Sequence, residues 1–304
     1  MVRIPRSAGS RRPVGDDGGV DEHGYELLDA GDGRRLERFG RHVVDRPAAA
    51  ADGPIRDPAA WSQASLRFHR YAGWEPAGAT IEPWSVRLAG LTFELRATDT
   101  GQVGLFPEQA PSWQWLQERI GSAAGSGAGL SVVNLFAYTG GSTLAAAAAG
   151  AAVAHVDASR PAVGWARRNA ELSDLAGKPV RWLVDDGEAF IARELRRGRH
   201  YDGFVVDPPS YGHGAGGRAW RLEERLDPLL AACAAVATAN PFVVLTAHTP
   251  GFDAARLADA IGVAFGAPRR DVDAGDLVLT ARSGARLALG SFARWPRSGR
   301  ARPR

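Results

Sequence analysis

The sequence predicts an α/β fold: an open, mainly parallel sheet with helices on both faces, preceded by a small mostly β N-terminal unit. Three observations carry that expectation. From Leu130 onward, apolar runs of strand length alternate with helix-length segments, the rhythm of βαβ units. Successive runs end in acids, Asp157, Asp185-Asp186 and Asp207, and a glycine pair, Gly140-Gly141, stands at a helix start, which is where open sheets bind ligands. Between Tyr25 and Arg96 the pattern is instead short strands separated by turn signals.

Residues 1–20, rich in Arg, Gly, Ser and Asp, and the basic stretch 297–304 are expected to be disordered tails. Residues 21–100 are expected to form the β-rich unit. Within it, YELLDAGDGRRLERFGRHVVDRP has a hairpin-like turn from Asp29 to Gly33 before Pro47 ends the run, and a Pro/Ala/Asp linker spans Ala48 to Ala60. Two further strands, Trp84 to Leu88 and Thr92 to Arg96, flank a turn at Ala89-Gly90. Tryptophans crowd the region: Trp61, Trp74, Trp84, Trp113 and Trp115. Such rings can stack on unpaired bases. Without basic interleaving they better suit joining a small β unit to its neighbour.

Residues 101–296 are expected to hold the α/β domain. GQVGLFPEQAPSWQWLQERI gives a glycine-flanked loop and then a helix, with Pro107 in its first turn and Glu108 beside it. Phe106 and Gln109 are candidates for a pocket wall if that loop lies at the same sheet end as Gly140. A strand from Leu130 to Leu135, the glycine turn, an alanine-rich helix from Ser142 to Ala149 and a strand from Ala152 to Val156 closed by Asp157 form one βαβ half. The glycines let a nucleoside cofactor approach the backbone, and the acid accepts hydrogen bonds from ribose hydroxyls. Nicotinamide and S-adenosylmethionine (SAM) enzymes share that order.

The series continues with a helix from Pro161 to Leu172 opened by Ser159, a strand from Val180 to Val184, and a helix running from Asp185-Asp186-Gly187 to Arg197. A strand from Tyr201 to Val206 leads into a glycine loop, Gly212 to Arg218, a candidate lid. Then come a helix from Arg225 to Ala239, a strand from Phe242 to Ala247, a helix from Ala254 to Phe265, and strands at Asp276 to Ala281 and Ala285 to Leu289.

At 304 residues and 45% hydrophobic content the chain can bury a sizeable core. No apolar run approaches the ~18 residues of a membrane span and no signal-peptide pattern opens the chain, so a cytoplasmic location with no membrane partner is expected. The single cysteine, Cys233, excludes an internal disulfide, and its setting in LLAACAAVA reads as a buried helix face. The charge of +3 and pI near 9.4 are mild, and the excess of arginine over lysine follows as readily from a GC-rich genome as from nucleic-acid binding. His69, His155, His200 and His248 lack the spacing of a metal site, and none is expected.

The series NLFAYTGG, HVDAS, VDDGEAF and VVDPPSYG resembles the successive motifs of class I SAM-dependent methyltransferases. More narrowly, it is similar to the bacterial 23S rRNA methyltransferases that modify cytosine carbon 5 or guanine ring nitrogen 7, which carry a loop like GQVGLFPEQ before the core. The resemblance covers about Gly101 to Gly251. It implies a Rossmann-like class I methyltransferase sheet, SAM as cofactor and ribosomal RNA as partner. Carried over by position, it implies that Asn134, Phe136, Tyr138, Thr139 and Gly140 wrap the methionine and ribose portion, with Phe106 and Gln109 nearby, and that Asp157 and Ser159 meet the ribose. Asp186, Gly187 and Phe190 would hold the adenine, with Asp185 ranked second to Asp186. Asp207, Pro208, Pro209 and Tyr211 would form the place where methyl donor and acceptor meet. Each acid alone can be a helix cap; their order is what points to a site.

Nicotinamide binding explains less, because Gly140-Gly141 is not G-x-G-x-x-G and nothing in it calls for Pro208-Pro209. A proline pair stiffens the turn and holds the neighbouring carbonyl outward, which suits transfer to nitrogen on a planar base stacked on Tyr211. Methylation at cytosine carbon 5 needs a thiolate, which such enzymes place in Thr-Cys-Ser-Cys after the fifth strand; this chain has Thr246-Ala247-His248-Thr249. A nitrogen acceptor is therefore expected, with His248 a base, a reader of the acceptor's edge or a packed loop residue. Methylation of a small molecule or protein, and a non-catalytic SAM- or RNA-binding scaffold, are the alternatives. The PUA domain that the cytosine enzymes carry has no counterpart pattern here, and the β unit is the candidate to replace it.

Overall fold

The computed structural model describes residues 24–76, 81–124, 129–213 and 219–296. The expected tails, 1–20 and 297–304, and residues 214–218 of the candidate lid lie outside that range. Among the described residues no helix is long and apolar enough to cross a membrane.

The chain opens as an antiparallel meander, β1 (Tyr25–Gly31), β2 (Arg34–Phe39) and β3 (His42–Pro47). Its first turn is Asp32-Gly33, with φ of 53° and 74°, the doubly left-handed backbone that matches the twist of paired strands. The expected linker holds a short helix, α1 (Pro58–Trp61), because Asp29 organises it. One carboxylate oxygen of this fully buried side chain accepts from the Arg56 and Asp57 amides and the Trp61 indole, and the other accepts from the Ser283 hydroxyl at 2.6 Å. Then β4 (Leu66–His69) joins β3 in parallel and β5 (Gly73–Glu75) closes the sheet in the order β1-β2-β3-β4-β5. A separate hairpin, β6 (Trp84–Leu88) and β7 (Leu91–Leu95), turns at Ala89-Gly90 as expected, again with positive φ at both residues.

A 3-10 turn at Pro107–Gln109 runs directly into α2 (Ala110–Ala124). Beyond it lie β8 (Ser131–Leu135), α3 (Gly141–Ala148), β9 (Ala152–Asp157), α4 (Arg160–Leu172), β10 (Val180–Val184), α5 (Gly187–Arg196) and β11 (Tyr201–Val206). A two-stranded pair, β12 (Tyr211–His213) with β13 (Ala219–Arg221), precedes α6 (Leu222–Ala235), β14 (Ala237–Ala247), α7 (Ala254–Phe265), β15 (Asp273–Thr280) and β16 (Arg286–Trp295). The expected helix to Ala239 ends at Ala235, since Ala237 pairs with Tyr201 at the start of the next strand. At its other end the helix starts three residues early, at Leu222, where Glu223 and Glu224 favour the positive end of the helix dipole.

The main sheet has the order β10-β9-β8-β11-β14-β16-β15, parallel through its first five strands and antiparallel at β16 and β15. Successive strands after β8 go outward to β9 and β10, and the chain then returns past β8 to β11. Such a reversal splays the connections apart and leaves a crevice at the carboxyl ends. The registers Leu135↔Val156, Val184↔Asp157 and Leu135↔Val206 bring Phe136, Asp157, Asp185 and Asp207 to that one edge.

Apolar packing runs from the N-terminal strands into the α/β layers. Phe39, Val44, Trp84, Val86 and Phe93 share one cluster with Trp113, Leu144 and Ala170, while Leu27 and Ala30 cluster with Ala281, just after β15, and Leu287 of β16. Trp61, Trp84, Trp113 and Trp115 are buried, and the Trp74 indole donates to the Thr98 carbonyl at 2.7 Å. These rings are packing and anchoring groups.

Candidate active site

The crevice is a cavity of about 460 Å³, within the range of about 300–1,000 Å³ typical of small-molecule sites. Each wall comes from a different strand end. After β8, the chain reaches Gly140 through residues whose φ alternates into the left-handed region: Phe136 at 56°, Tyr138 at 47° and Gly140 at 91°. Two bulky aromatics there are costly to hold. The turn they produce aims the Tyr138 amide at one oxygen of Asp157, while the Ser159 amide donates to the other, both at 2.8 Å. Asp157 thus stands at the end of β9 with its carboxylate fixed from behind and its front in the cavity. Burial raises its pKa, offset in part by the Ser159 and Tyr138 amides.

Asp186 lines the cavity and also caps α5 by accepting from the Ala189 amide at 2.9 Å. Cap and site residue are one group here. Asp185 accepts from the Asp186 amide and pairs with Arg193, which ties it to the helix. Gly187, Ser159, Phe106, Pro208 and Pro209 line the same cavity.

Asp207, at the end of β11, is the centre of a polar network. One of its oxygens accepts from the Thr246 hydroxyl and faces His248 Nε2 at 3.4 Å; the other accepts from Gln109 Nε2 at 3.2 Å. Gln109 also reaches the Thr246 hydroxyl at 3.4 Å, and His248 Nδ1 lies 2.6 Å from the Leu289 carbonyl. Burial disfavours charge on His248, but the Asp207 contact, helped by Glu108 and the Leu289 carbonyl, outweighs it and pushes the pKa up to about 9.

Some expected residues sit elsewhere. Asn134, Thr139, Gly140 and Gln109 line a narrow cleft of about 50 Å³ beside the cavity. The Asn134 amide is turned inward to Thr143 at 2.8 Å, and Thr143 meets His155 Nδ1 at 2.9 Å. Burial, aided by Arg167, holds that histidine neutral with a pKa of about 3. This buried chain supports the turn from beneath. Phe190, expected beside the adenine, packs in the core at 1% exposure because α5 turns its apolar stripe to the sheet. Tyr211, expected as the stacking ring, is 63% exposed outside the cavity, with Arg221 over its face. The pairing of β12 with β13 puts Trp220 inside in its place: its indole donates to the Pro209 carbonyl at 2.8 Å and its ring lies 5.0 Å from that of Phe136. Trp220, Thr246 and the Asp207–His248 contact are the parts sequence reasoning did not place in the site.

Cys233 is fully buried on α6, away from the cavity lining, and burial pushes its thiol up to about 12. Among the described residues no group of His, Cys, Asp and Glu could hold a metal ion. The donor set fits a nucleoside-bearing cofactor: carboxylates at the ends of adjacent strands can take ribose hydroxyls and an adenine amine, between the aromatic walls Phe106, Phe136 and Tyr138.

A family model described as S-adenosylmethionine-dependent methyltransferase matches residues 59–239. The chain is similar to the SAM-dependent methyltransferase from Agrobacterium tumefaciens, whose crystal structure superposes with a TM-score of 0.81 at 35% identity over 90% of each chain. A SAM-dependent methyltransferase from Streptococcus mutans, 18% identical over 91% of this chain and 76% of that one with a TM-score of 0.68, shares the fold. Ribosomal RNA large subunit methyltransferase K/L of Syntrophotalea carbinolica is 35% identical over 131 residues, which is 43% of this chain and 17% of that protein. Ribosomal RNA large subunit methyltransferase K of Neisseria meningitidis is 35% identical over 139 residues, 45% of this chain and 37% of that one. The matched stretch therefore spans well under half the length of these curated relatives.

Proposed function

The chain belongs to the S-adenosylmethionine-dependent methyltransferase family, and from that premise we propose that it is a cytoplasmic enzyme that methylates a base nitrogen of ribosomal RNA. One observation carries the choice of nitrogen. The sole cysteine lies in the core with its thiol held protonated, so the thiolate that makes cytosine carbon 5 nucleophilic has no residue to supply it. The similarity to ribosomal RNA large subunit methyltransferases supports the RNA substrate.

In this reading Asp157, pinned by the Tyr138 and Ser159 amides, takes the ribose hydroxyls of SAM, and Asp186 takes the adenine amine beside Gly187. Phe106, Phe136 and Tyr138 enclose the methionine portion. Bound there, the cofactor supplies an electrophilic methyl carbon on a sulfonium. The chain's contribution is orientation: a lone pair held in line with that carbon reacts without further activation. Pro208-Pro209 stiffens the turn after β11, and the Trp220 bond to the Pro209 carbonyl fixes an aromatic wall against which a planar base can lie. The β-rich unit of residues 21–100 would contact the RNA around the target base, the α/β domain of residues 101–296 carrying the chemistry.

The test is a comparison of modified nucleosides in ribosomal RNA from a deletion strain and its parent. One N-methylated nucleoside should be absent from the deletion strain and return with the wild-type gene. An unchanged profile would move the substrate to a small molecule or protein.

A further inference from the structure

Resting on the nitrogen-methylation reading, we propose that His248 is a specificity-determining residue of the site: held by the Leu289 carbonyl and Asp207, it presents a hydrogen-bond donor to the acceptor and takes no proton from it. The geometry fixes the proton on Nδ1, and the acid beside Nε2 favours a second. A carbonyl only accepts, so Nδ1, 2.6 Å from the Leu289 oxygen, carries a hydrogen. Nε2 faces a carboxylate oxygen of Asp207 at 3.4 Å. That carboxylate also receives the Thr246 hydroxyl and the Gln109 amide, and a carboxylate beside an imidazole favours the imidazolium.

The groups that face the ring come from three elements. They are Asp207 after β11, Glu108 and Gln109 in the 3-10 turn, and Leu289 on β16, with the Phe106 ring centre 6.4 Å away. The titratable groups among them are Asp207 and Glu108, both acids, and burial raises the pKa of Glu108, so Asp207 is the principal partner. With a pKa of about 9, the ring is a standing cation at neutral pH.

The two ring nitrogens have different freedom. Nδ1 is locked by a short bond. Nε2 has a long one and belongs to a side chain 32% exposed that lines the cavity; a contact of 3.4 Å is weak and can be shared with a ligand. A fixed donor beside the methyl-transfer position selects a chemistry. It suits a nitrogen that carries its own lone pair next to an oxygen or nitrogen able to accept the Nε2 hydrogen. In that step the lone pair becomes the new N–C bond, the C–S pair stays on sulfur, and no proton leaves. A conjugated exocyclic amine fits poorly, because it must shed a proton while Asp207 already receives the Thr246 hydroxyl and the Gln109 amide and His248 is protonated.

The test combines two readouts. In protein labelled with ¹⁵N-histidine, alone and with S-adenosylhomocysteine, His248→Gln identifies the His248 ring signals. Both ring nitrogens should be protonated at pH 7.5 and titrate near 9, and Asp207→Asn should bring the titration down. A His248 neutral at pH 7.5 overturns the proposal. On ribosomal RNA from the deletion strain, kcat/KM should be flat from pH 6.5 to 8 and fall as the pH passes about 9. His248→Phe should raise the KM for RNA by about ten- to a hundredfold, the loss of one charge-assisted hydrogen bond, and His248→Gln, which keeps a donor, should restore part of it. A limb rising near pH 6.5 that vanishes in His248→Gln is the signature of a base and also overturns it. If no RNA is methylated, the substrate reading fails while the ring titration still decides the state of His248.

Discussion

Asp157 offers the sharpest handle on the cofactor site. Its carboxylate is anchored by two amides and has its remaining lone pairs in the cavity. If it holds two ribose hydroxyls, Asp157→Ala removes two charge-assisted bonds worth about 1.5–3 kcal/mol each. The lower figure gives about 3 kcal/mol, or roughly a hundredfold in Kd. The Tyr138 amide also loses its partner, which loosens a turn already held at unfavourable φ, so the true effect should lie above that floor. Asp157→Asn keeps one carbonyl oxygen and should fall near tenfold. Isothermal titration with SAM measures both, with thermal unfolding of the unliganded variants as the folding control. A folded Asp157→Ala that binds SAM as tightly as wild type would refute the assignment and leave the acid as a support for the turn.

Three further outcomes follow from the packing. Asp29→Ala strands a buried indole, three amides and a hydroxyl, and should cost about 3 kcal/mol in chemical denaturation. Burial raises the pKa of Asp29, but bonds from Ser283, Trp61 and the 56–57 amides bring it below its ordinary value; its stabilisation is therefore complete above about pH 4 and lost as pH falls through the lowered folded value. An Asp29→Ala stability curve parallel to wild type through the acid range would contradict this. Gly104→Ala puts a methyl within 2.1 Å of the Trp165 ring at a φ of 89° and should destabilise by about 2–4 kcal/mol, against no more than about 0.5 kcal/mol if the site were tolerant. Cys233→Ala should keep the wild-type rate of methyl transfer while losing about 1–2 kcal/mol of stability to a small cavity; loss of transfer in a folded variant would reinstate a thiolate mechanism.

The succession of strands and helices along the α/β domain and the acids at the strand ends were legible because each is a local event: an apolar run, then a residue that cannot continue it. Asp157, Asp186 and Asp207 all reach the crevice for that reason. What depends on residues far apart in the chain was not legible. Gln109, Asp207, Thr246 and His248 meet across 139 residues, and the long-range bonds of Asp29 to Trp61 and Ser283 turned an expected linker into a helix. Phe136 and Tyr138 in left-handed backbone carry no sequence signal, since neither residue favours it. Tyr211 follows the Asp-Pro-Pro motif closely, as a stacking ring would, yet strand pairing with Ala219–Arg221 decides which aromatic faces inward. Phe190 and Asn134 belonged to motifs whose side chains alternate between site and core, and periodicity alone does not say which way each one turns.

The most direct measurement is transfer of labelled methyl from SAM to ribosomal RNA isolated from the deletion strain, followed by mass analysis of the labelled nucleoside. Incorporation into a single nucleoside carrying the methyl on a ring nitrogen, and none into RNA from the parent strain where that position is already filled, is the predicted result. Label on cytosine carbon 5, or no label in either RNA, would contradict it.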